Sequence, residues 1–467
     1  MTASLVVVSN RGPVAFSFDD DGVPQAGRAS GGLASTLGGG VKGGNAVWVA
    51  AALTDADRTA AKDDDLKAED YHLRLVDIEK EAFDLAYNLI SNETLWFWHH
   101  HLFDMLRRPV FDGTFRKAWA AFRDVNRAMA NEVLRVAAAD ATVLVHDYHL
   151  ALAPAMLRAE RPDLRISHFS HTPFVHPALL TILPDEITGE LLNGMAGADA
   201  CGFHTPRWSA NFEACWFAHP STRTHPVPRT YIAPAAADHE AVAAVSASDD
   251  CATESEKLDR ETGNRKRIVR VDRIEPSKNL LRGFWAYRIL LEECPEWHDK
   301  VCLVALCYPS RETLEEYRML HEEVEAIAAS INERFGTADW SPVILETTDR
   351  FPRSVAALRS ADVLLVNPIR DGLNLVAYEG PAINERDAPL LLSREAGAWD
   401  ELGPAGAMVI NPFDVSGTAD ALNIALSMDA GERRSRAEKL RSVATARTPA
   451  GWLQQQLDAV SRTTERQ

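Results

Sequence analysis

The chain has 467 residues, 46% hydrophobic and 25% charged, which excludes a disordered, collagenous or disulfide-stapled protein and, at about 100–200 residues per domain, predicts two large domains. Forty-nine Lys and Arg against 67 Asp and Glu leave a net charge of −18, which repels phosphate backbones and anionic lipid and so argues against general nucleic-acid or membrane-surface binding. An anionic substrate would have to draw its counter-charge from a few local arginines and lysines.

Short apolar runs recur from the start: Leu5–Val8, Ala46–Val49, Thr142–Val145, Arg165–Phe169 and Ala200–Phe203, then Arg267–Val271, Val301–Ala305, Val343–Leu345, Asp362–Val366, Pro389–Leu392 and Ala407–Ile410. Continuous rather than alternating apolarity predicts strands covered on both faces, as in a parallel sheet. Helical patterns cover Phe115–Ala137, Arg311–Arg334 and Ser416–Met428. Strand–helix alternation along the whole chain predicts an α/β architecture with doubly wound sheets. The polar stretch His239–Lys266 reads either as a hinge or as an exposed surface helix and loop. Either way it divides two sheets of comparable size, and two α/β domains facing across a cleft are expected, with ligands at the carboxyl ends of the strands. The six cysteines show no C-x-x-C spacing and read as reduced, buried thiols. Leu5–Val8 is too short for a signal-peptide core, and no run approaches the ~18–20 apolar residues of a membrane span. A cytoplasmic protein is expected.

Five segments carry chemistry. After the first strand come Ser9-Asn10-Arg11-Gly12-Pro13 and then Gly31-Gly32, where paired glycines before a helix either cradle a phosphate or only make a turn. His146-Asp147-Tyr148-His149-Leu150 follows a buried strand; Asp147 either orders sugar hydroxyls or caps a helix. His171, at the end of Ser167–Ser170, faces a proline-stiffened turn and is either a structural or a catalytic imidazole. His99-His100-His101 is discounted as a metal site because consecutive helical residues point apart. Arg273 leaves a strand end and Lys278 follows at a helix start, a pair suited to clamp a diphosphate. Last, Asn367–Glu379 contains Asp371, Gly372 and the amides of Asn374, Leu375 and Val376, which could hold phosphate oxygens, with Glu379 placed to accept from a ribose diol.

In this order, from Leu5 to about Asp414, these segments resemble the trehalose-6-phosphate synthase family of retaining glucosyltransferases. The resemblance implies a GT-B fold of two Rossmann-like domains, here 1–238 for the acceptor and 239–447 for the nucleotide sugar, with 448–467 a helix returning to the first. It implies glucosyl transfer from a nucleoside diphosphate-glucose to glucose 6-phosphate, with no cofactor and no obligatory metal. Arg11, Tyr87, Trp96 and Arg311 match the acceptor-binding positions. Asp147, His171, Arg273, Lys278 and Asp371 match the catalytic ones. Gly31, Gly32, Arg273, Lys278, Asn374, Leu375, Val376 and Glu379 match those of the donor. No nucleic-acid or membrane partner is implied, and a homo-oligomer is admitted.

The chain departs from the family pattern in three places. Trp48-Val-Ala-Ala51 stands where an aromatic pair is common, Glu275-Pro276-Ser277-Lys278 replaces Asp-Tyr-Ser-Lys, and Thr348-Asp349-Arg350-Phe351-Pro352 lacks an aromatic that some members set against uracil. The last departure favours GDP-glucose over UDP-glucose, with Phe351 the aromatic to examine. Asn384–Ala388 and Pro412–Asp414 also resemble the pseudo-glycosyltransferase branch, which would join cyclitols through a C–N bond from a GDP-cyclitol. An inactive nucleotide-sugar-binding regulatory subunit is the third reading.

Overall fold

Strand β1 (Ala3–Ser9) is almost wholly apolar because both its faces are covered. The computed structural model describes residues 2–28, 36–37, 41, 45–222 and 227–461. β2 (Val14–Phe18) and β3 (Pro24–Arg28) form an antiparallel hairpin. There follow β4 (Val47–Ala51), β5 (Lys67–Ala68), β6 (Tyr71–Val76), β7 (Ala137–His146), β8 (Arg165–Ser170), β9 (Ala200–Phe203) and β10 (Thr230–Ile232). Among the described residues these make one sheet of order β10-β9-β8-β7-β1-β4-β6-β5. It is parallel except for β5 against β6.

The second sheet has the order β13-β12-β11-β14-β15-β16. Its strands are β11 (Lys266–Ile274), β12 (Val301–Pro309), β13 (Val343–Glu346), β14 (Val363–Val366), β15 (Leu390–Ser393) and β16 (Met408–Ile410). All its pairings are parallel, and β11 lies opposite β12 from Lys266↔Val301 to Ile274↔Pro309. The chain divides into two compact units, Met1–Ala236 with Pro449–Gln467, and Ala237–Thr448.

Helix ends follow from caps. Asp112 accepts from Phe115 N at 3.0 Å and starts the helix Gly113–Val136, whose apolar face covers the first sheet. Asp414 likewise caps Val415–Ser427 through Gly417 N at 2.8 Å. The polar stretch after Ala237 holds two helices, His239–Ser246 and Asp249–Thr262, of which Val242, Cys251 and Leu258 are buried. The helix expected from Arg311 starts at Glu315 instead. Leu314 is extended and Arg311 takes a left-handed φ of 49°, so Arg311 sits in the turn before the helix. No helix among the described residues is long and apolar enough to cross a membrane. The six cysteines are free thiols.

Candidate functional site

In the first unit, the carboxyl end of β1 leads to Arg11. Ser9 Oγ donates to Arg11 O at 2.6 Å and accepts from the buried Trp48 Nε1 at 2.8 Å, so an indole of β4 fixes the turn. The exposed Arg11 guanidinium donates from Nη2 to Tyr87 Oη at 3.1 Å. Tyr87 lies on a π-helical stretch, Leu85–Leu95, a geometry often found at functional sites. Its ring stacks between Phe83 (5.5 Å, 13°) and His149 (5.8 Å, 17°). Trp96 is only 8% exposed and stacks on His100 at 4.0 Å, inside the core. Gly31 and Gly32 lie outside the described residues. The three consecutive histidines serve backbone groups: His99 Nδ1 accepts from Val175 N, His101 Nε2 accepts from His176 N, and His100 Nδ1 pairs with Trp96 O at 2.8 Å.

β7 ends at His146, and Asp147 follows it. Asp147 has φ 74°, a left-handed conformation that costs a non-glycine residue about 1–3 kcal/mol and clusters at functional sites. It occupies the N-cap position of the turn Tyr148–Leu150, yet its side chain makes no cap hydrogen bond. Its Oδ1 instead accepts from His171 N at 3.2 Å, while its own N–H donates to Phe169 O at 2.7 Å. The carboxylate is therefore tied to the end of β8 rather than spent on a helix end. His171 Nε2 lies 3.1 Å from His146 Nδ1. Between two neutral rings, one nitrogen donates and the other accepts. Burial, then the neighbouring His204, His168 and His149, hold the His171 pKa well below its ordinary value, so the ring is neutral at pH 7. Phe169, His204 and Trp452 surround it at ring distances of 5.0, 5.2 and 5.8 Å. Trp452 comes from the terminal helix Pro449–Ser461 and donates to Ala233 O at 2.9 Å. Sequence reasoning missed His146, His204 and Trp452 as neighbours of His171. His146 could have been suspected from its place beside Asp147.

In the second unit, β11 delivers Arg273, whose side chain is 41% exposed and whose Nε lies 2.9 Å from Glu275 Oε1. Buried Arg270 donates to Asp272 Oδ2 at 2.8 Å and to the Lys278 carbonyl at 3.2 Å, anchoring the turn Pro276–Lys278. Lys278 Nζ meets Asp371 Oδ2 at 2.5 Å, and Asn374 Nδ2 donates to the same oxygen at 3.1 Å. Burial alone would lower the Lys278 pKa; Asp371, Asp272 and Glu275 outweigh it and raise the value. Asn374 has a left-handed φ of 81°, and beyond it the helix Val376–Ile383 starts with Leu375 at its N-cap. A helix N-terminus favours an anion. Glu379 lies on this helix, half-buried. Arg311 belongs to this unit as well, donating from Nη1 to Tyr317 Oη at 2.7 Å.

The donor-side candidates Arg273, Lys278, Asp371 and Asn374 are thus brought together, as are Arg11, Tyr87, Asp147 and His171 in the first unit. Phe351, the aromatic singled out for a base, is partly buried against Val242, Cys251, Val355 and Ala356. Its ring is used in packing.

Residues 3–462 match the family model of Glycosyltransferase family 20. A bifunctional trehalose-6-phosphate synthase/phosphatase of Thermoproteus tenax is 34% identical over 466 residues, which cover 94% of this chain and 61% of that protein. The alpha,alpha-trehalose-phosphate synthase (UDP-forming) of Schizosaccharomyces pombe is 32% identical over 452 residues, 93% of this chain and 86% of the relative. Among solved structures, the trehalose-6-phosphate structure from E. coli bound with UDP-2-fluoro glucose superposes with a TM-score of 0.85 at 27% identity, covering 99% of this chain and 100% of that one. Two mainly parallel, helix-flanked sheets, the match along nearly the whole sequence and this likeness give one conclusion: the chain belongs to glycosyltransferase family 20 and has the GT-B fold.

Proposed function

We propose that this chain is a retaining glucosyltransferase that moves glucose from a nucleoside diphosphate-glucose to glucose 6-phosphate, giving α,α-trehalose 6-phosphate. The observation that carries the reading is the cluster in which Lys278, held by Asp371 at 2.5 Å, and the half-exposed Arg273 stand with the N-terminus of Val376–Ile383. Two cations and a helix dipole are what a departing diphosphate needs as its negative charge develops. They supply the counter-charge, so the proposal requires no metal ion. The family membership and the curated relatives named as trehalose-phosphate synthases support the same reading.

In this proposal Arg11, aligned by the Tyr87 hydroxyl, and, in the second unit, Arg311 are the cations that meet an acceptor phosphate. Trp96 packs behind, through His100 and Tyr148. Asp147 and the neutral His171 order hydroxyls of the donor glucose, and Glu379 accepts from the ribose. The leaving phosphate takes the acceptor proton on the face from which it departs, which retains the anomeric configuration. The Schizosaccharomyces pombe relative is named UDP-forming, which supports UDP-glucose. The preference for GDP-glucose rests on the segment Thr348–Pro352 alone, and Phe351 is packed against its own unit.

The test is a donor panel: protein, glucose 6-phosphate, and UDP-, GDP-, ADP- and TDP-glucose, with and without EDTA, scored for nucleotide release and trehalose 6-phosphate. Product with one donor, unaffected by EDTA, is the expected result. Nucleotide binding with no product from any donor would move the assignment to the cyclitol-joining or regulatory readings.

A further inference from the structure

We infer that Glu275 is a positioning residue that couples Arg273 to Arg311, so that an anion held by one changes the hold of the other. The inference rests on the proposed reading, in which Arg273 faces the leaving diphosphate and Arg311 the acceptor phosphate.

The Glu275 side chain is fully buried. Its Oε1 lies 2.9 Å from Arg273 Nε and 3.8 Å from Arg311 Nη1, and it accepts from Ser310 Oγ at 3.1 Å. Its Oε2 is buried and has no hydrogen-bond partner among the described residues. The sheet explains the meeting: Ile274 of β11 pairs with Pro309 of β12, so Glu275 and Ser310-Arg311 leave neighbouring strands side by side. Burial would push the carboxyl pKa up, but Arg273, Arg311 and Lys278 together hold it down at about 2, and the group stays ionised.

One carboxylate oxygen thus compensates two guanidiniums that would otherwise repel each other. A phosphate reaching Arg311 takes over part of that compensation and loosens the claim of Glu275 on that side. The carboxylate can then follow Arg273, or release it to a second anion. Linkage makes the effect reciprocal: donor affinity depends on acceptor and acceptor affinity on donor. Glutamate here, where the resembling family commonly has aspartate, adds the methylene that sets its reach.

The experiment measures kcat, both KM values, and the dependence of donor KM on glucose 6-phosphate concentration, in the wild-type chain and in Glu275→Gln and Glu275→Asp. Removing the charge while keeping the shape leaves both arginines uncompensated. Glu275→Gln should lower KM for glucose 6-phosphate and the inhibition constant of the free nucleoside diphosphate by about threefold, lower kcat by about tenfold, and abolish the mutual dependence. A merely structural loss would not tighten two ligands at once. Glu275→Asp, which keeps the charge, should restore the KM values and part of kcat. A Glu275→Gln protein with both constants and the mutual dependence unchanged overturns the role. If that variant does not fold, Glu275→Asp decides: its shorter reach should lower kcat and weaken the mutual dependence while both KM values stay near those of the wild type, and a kcat and mutual dependence equal to the wild type's overturn the role. A wild-type chain inactive with every donor overturns the assigned roles of Arg273 and Arg311 instead, so the two failures are told apart.

Discussion

Lys278 Nζ and Asp371 Oδ2 meet at 2.5 Å across 93 positions of sequence, the turn after β11 against the loop after β14. Both side chains are about one-seventh exposed, at 14% and 15%, so the pair is shielded enough to hold one geometry and open enough to meet a ligand. Replacing Lys278 by Ala removes the cation beside Asp371 and with it a charge from the proposed leaving-group site. A loss of about 10²–10³ in kcat is expected, by analogy with removing one stabiliser of transition-state charge, and Arg273→Ala should fall in the same range. Steady-state kinetics with saturating donor check it; near-normal turnover in either variant would remove that residue from its role.

Arg11 and Tyr87 offer a contrast within the first unit. Arg11→Ala deletes a cation and should raise KM for glucose 6-phosphate by about tenfold or more, whereas Tyr87→Phe deletes only the hydroxyl that accepts from Arg11 Nη2 and keeps the ring stacked between Phe83 and His149. The smaller effect expected of Tyr87→Phe, about twofold to fivefold, separates charge from alignment. Equal effects of the two substitutions would mean that the hydroxyl, not the guanidinium, governs acceptor binding.

The strands of both sheets were legible because burial on two faces writes itself as unbroken apolar runs, as in Val6–Val8 and Leu303–Ala305. β10 and the edge pair β5–β6 were missed: they are short or mixed in polarity, with Tyr231 and Arg74 among them. The helical pattern expected from Arg311 begins too early, because an extended Leu314 sets the boundary at Glu315. Asp147 was ambiguous as a sequence letter, since a cap and a ligand residue look alike; only the hydrogen bond from His171 N decides. Glu275 stood out only as a departure from a motif. Its second partner comes from the next strand of the sheet, a relation that strand register creates and local spacing does not contain.

The histidines under Asp147 make stability depend on pH. His168 is fully buried, and burial lowers its pKa from 6.5 to about 4; those of His146 and His171 are also held well below the ordinary value, by burial and by neighbouring imidazoles. A pKa depressed on folding means that the unfolded chain takes up the proton first. The contribution is therefore complete above about 6.5 and is lost as pH falls through the window from 6.5 towards 4. For His168 alone the loss at pH 5 is on the order of 2 kcal/mol. Melting curves between pH 7.5 and 5 should fall for the wild type and fall less steeply for His168→Gln; parallel slopes would show that this imidazole does not titrate on unfolding.

Trp452 ties the terminal helix to the sheet of the first unit. Its indole donates to Ala233 O, packs edge-on against Phe169 at 5.2 Å and lies beside His146 and His171. Trp452→Ala opens a cavity in a fully buried site and should cost about 3–5 kcal/mol in unfolding of that unit. Trp452→Phe keeps a ring and loses the hydrogen bond, a cost of about 1 kcal/mol. Denaturant melts followed by tryptophan fluorescence and far-UV circular dichroism measure both. Because the indole also borders His171, Trp452→Phe should lower kcat even where the protein is fully folded, and deleting Pro449–Gln467 should lower both stability and turnover. A truncated chain with unchanged melting and unchanged turnover would show that the helix holds neither the sheet nor the imidazole in place.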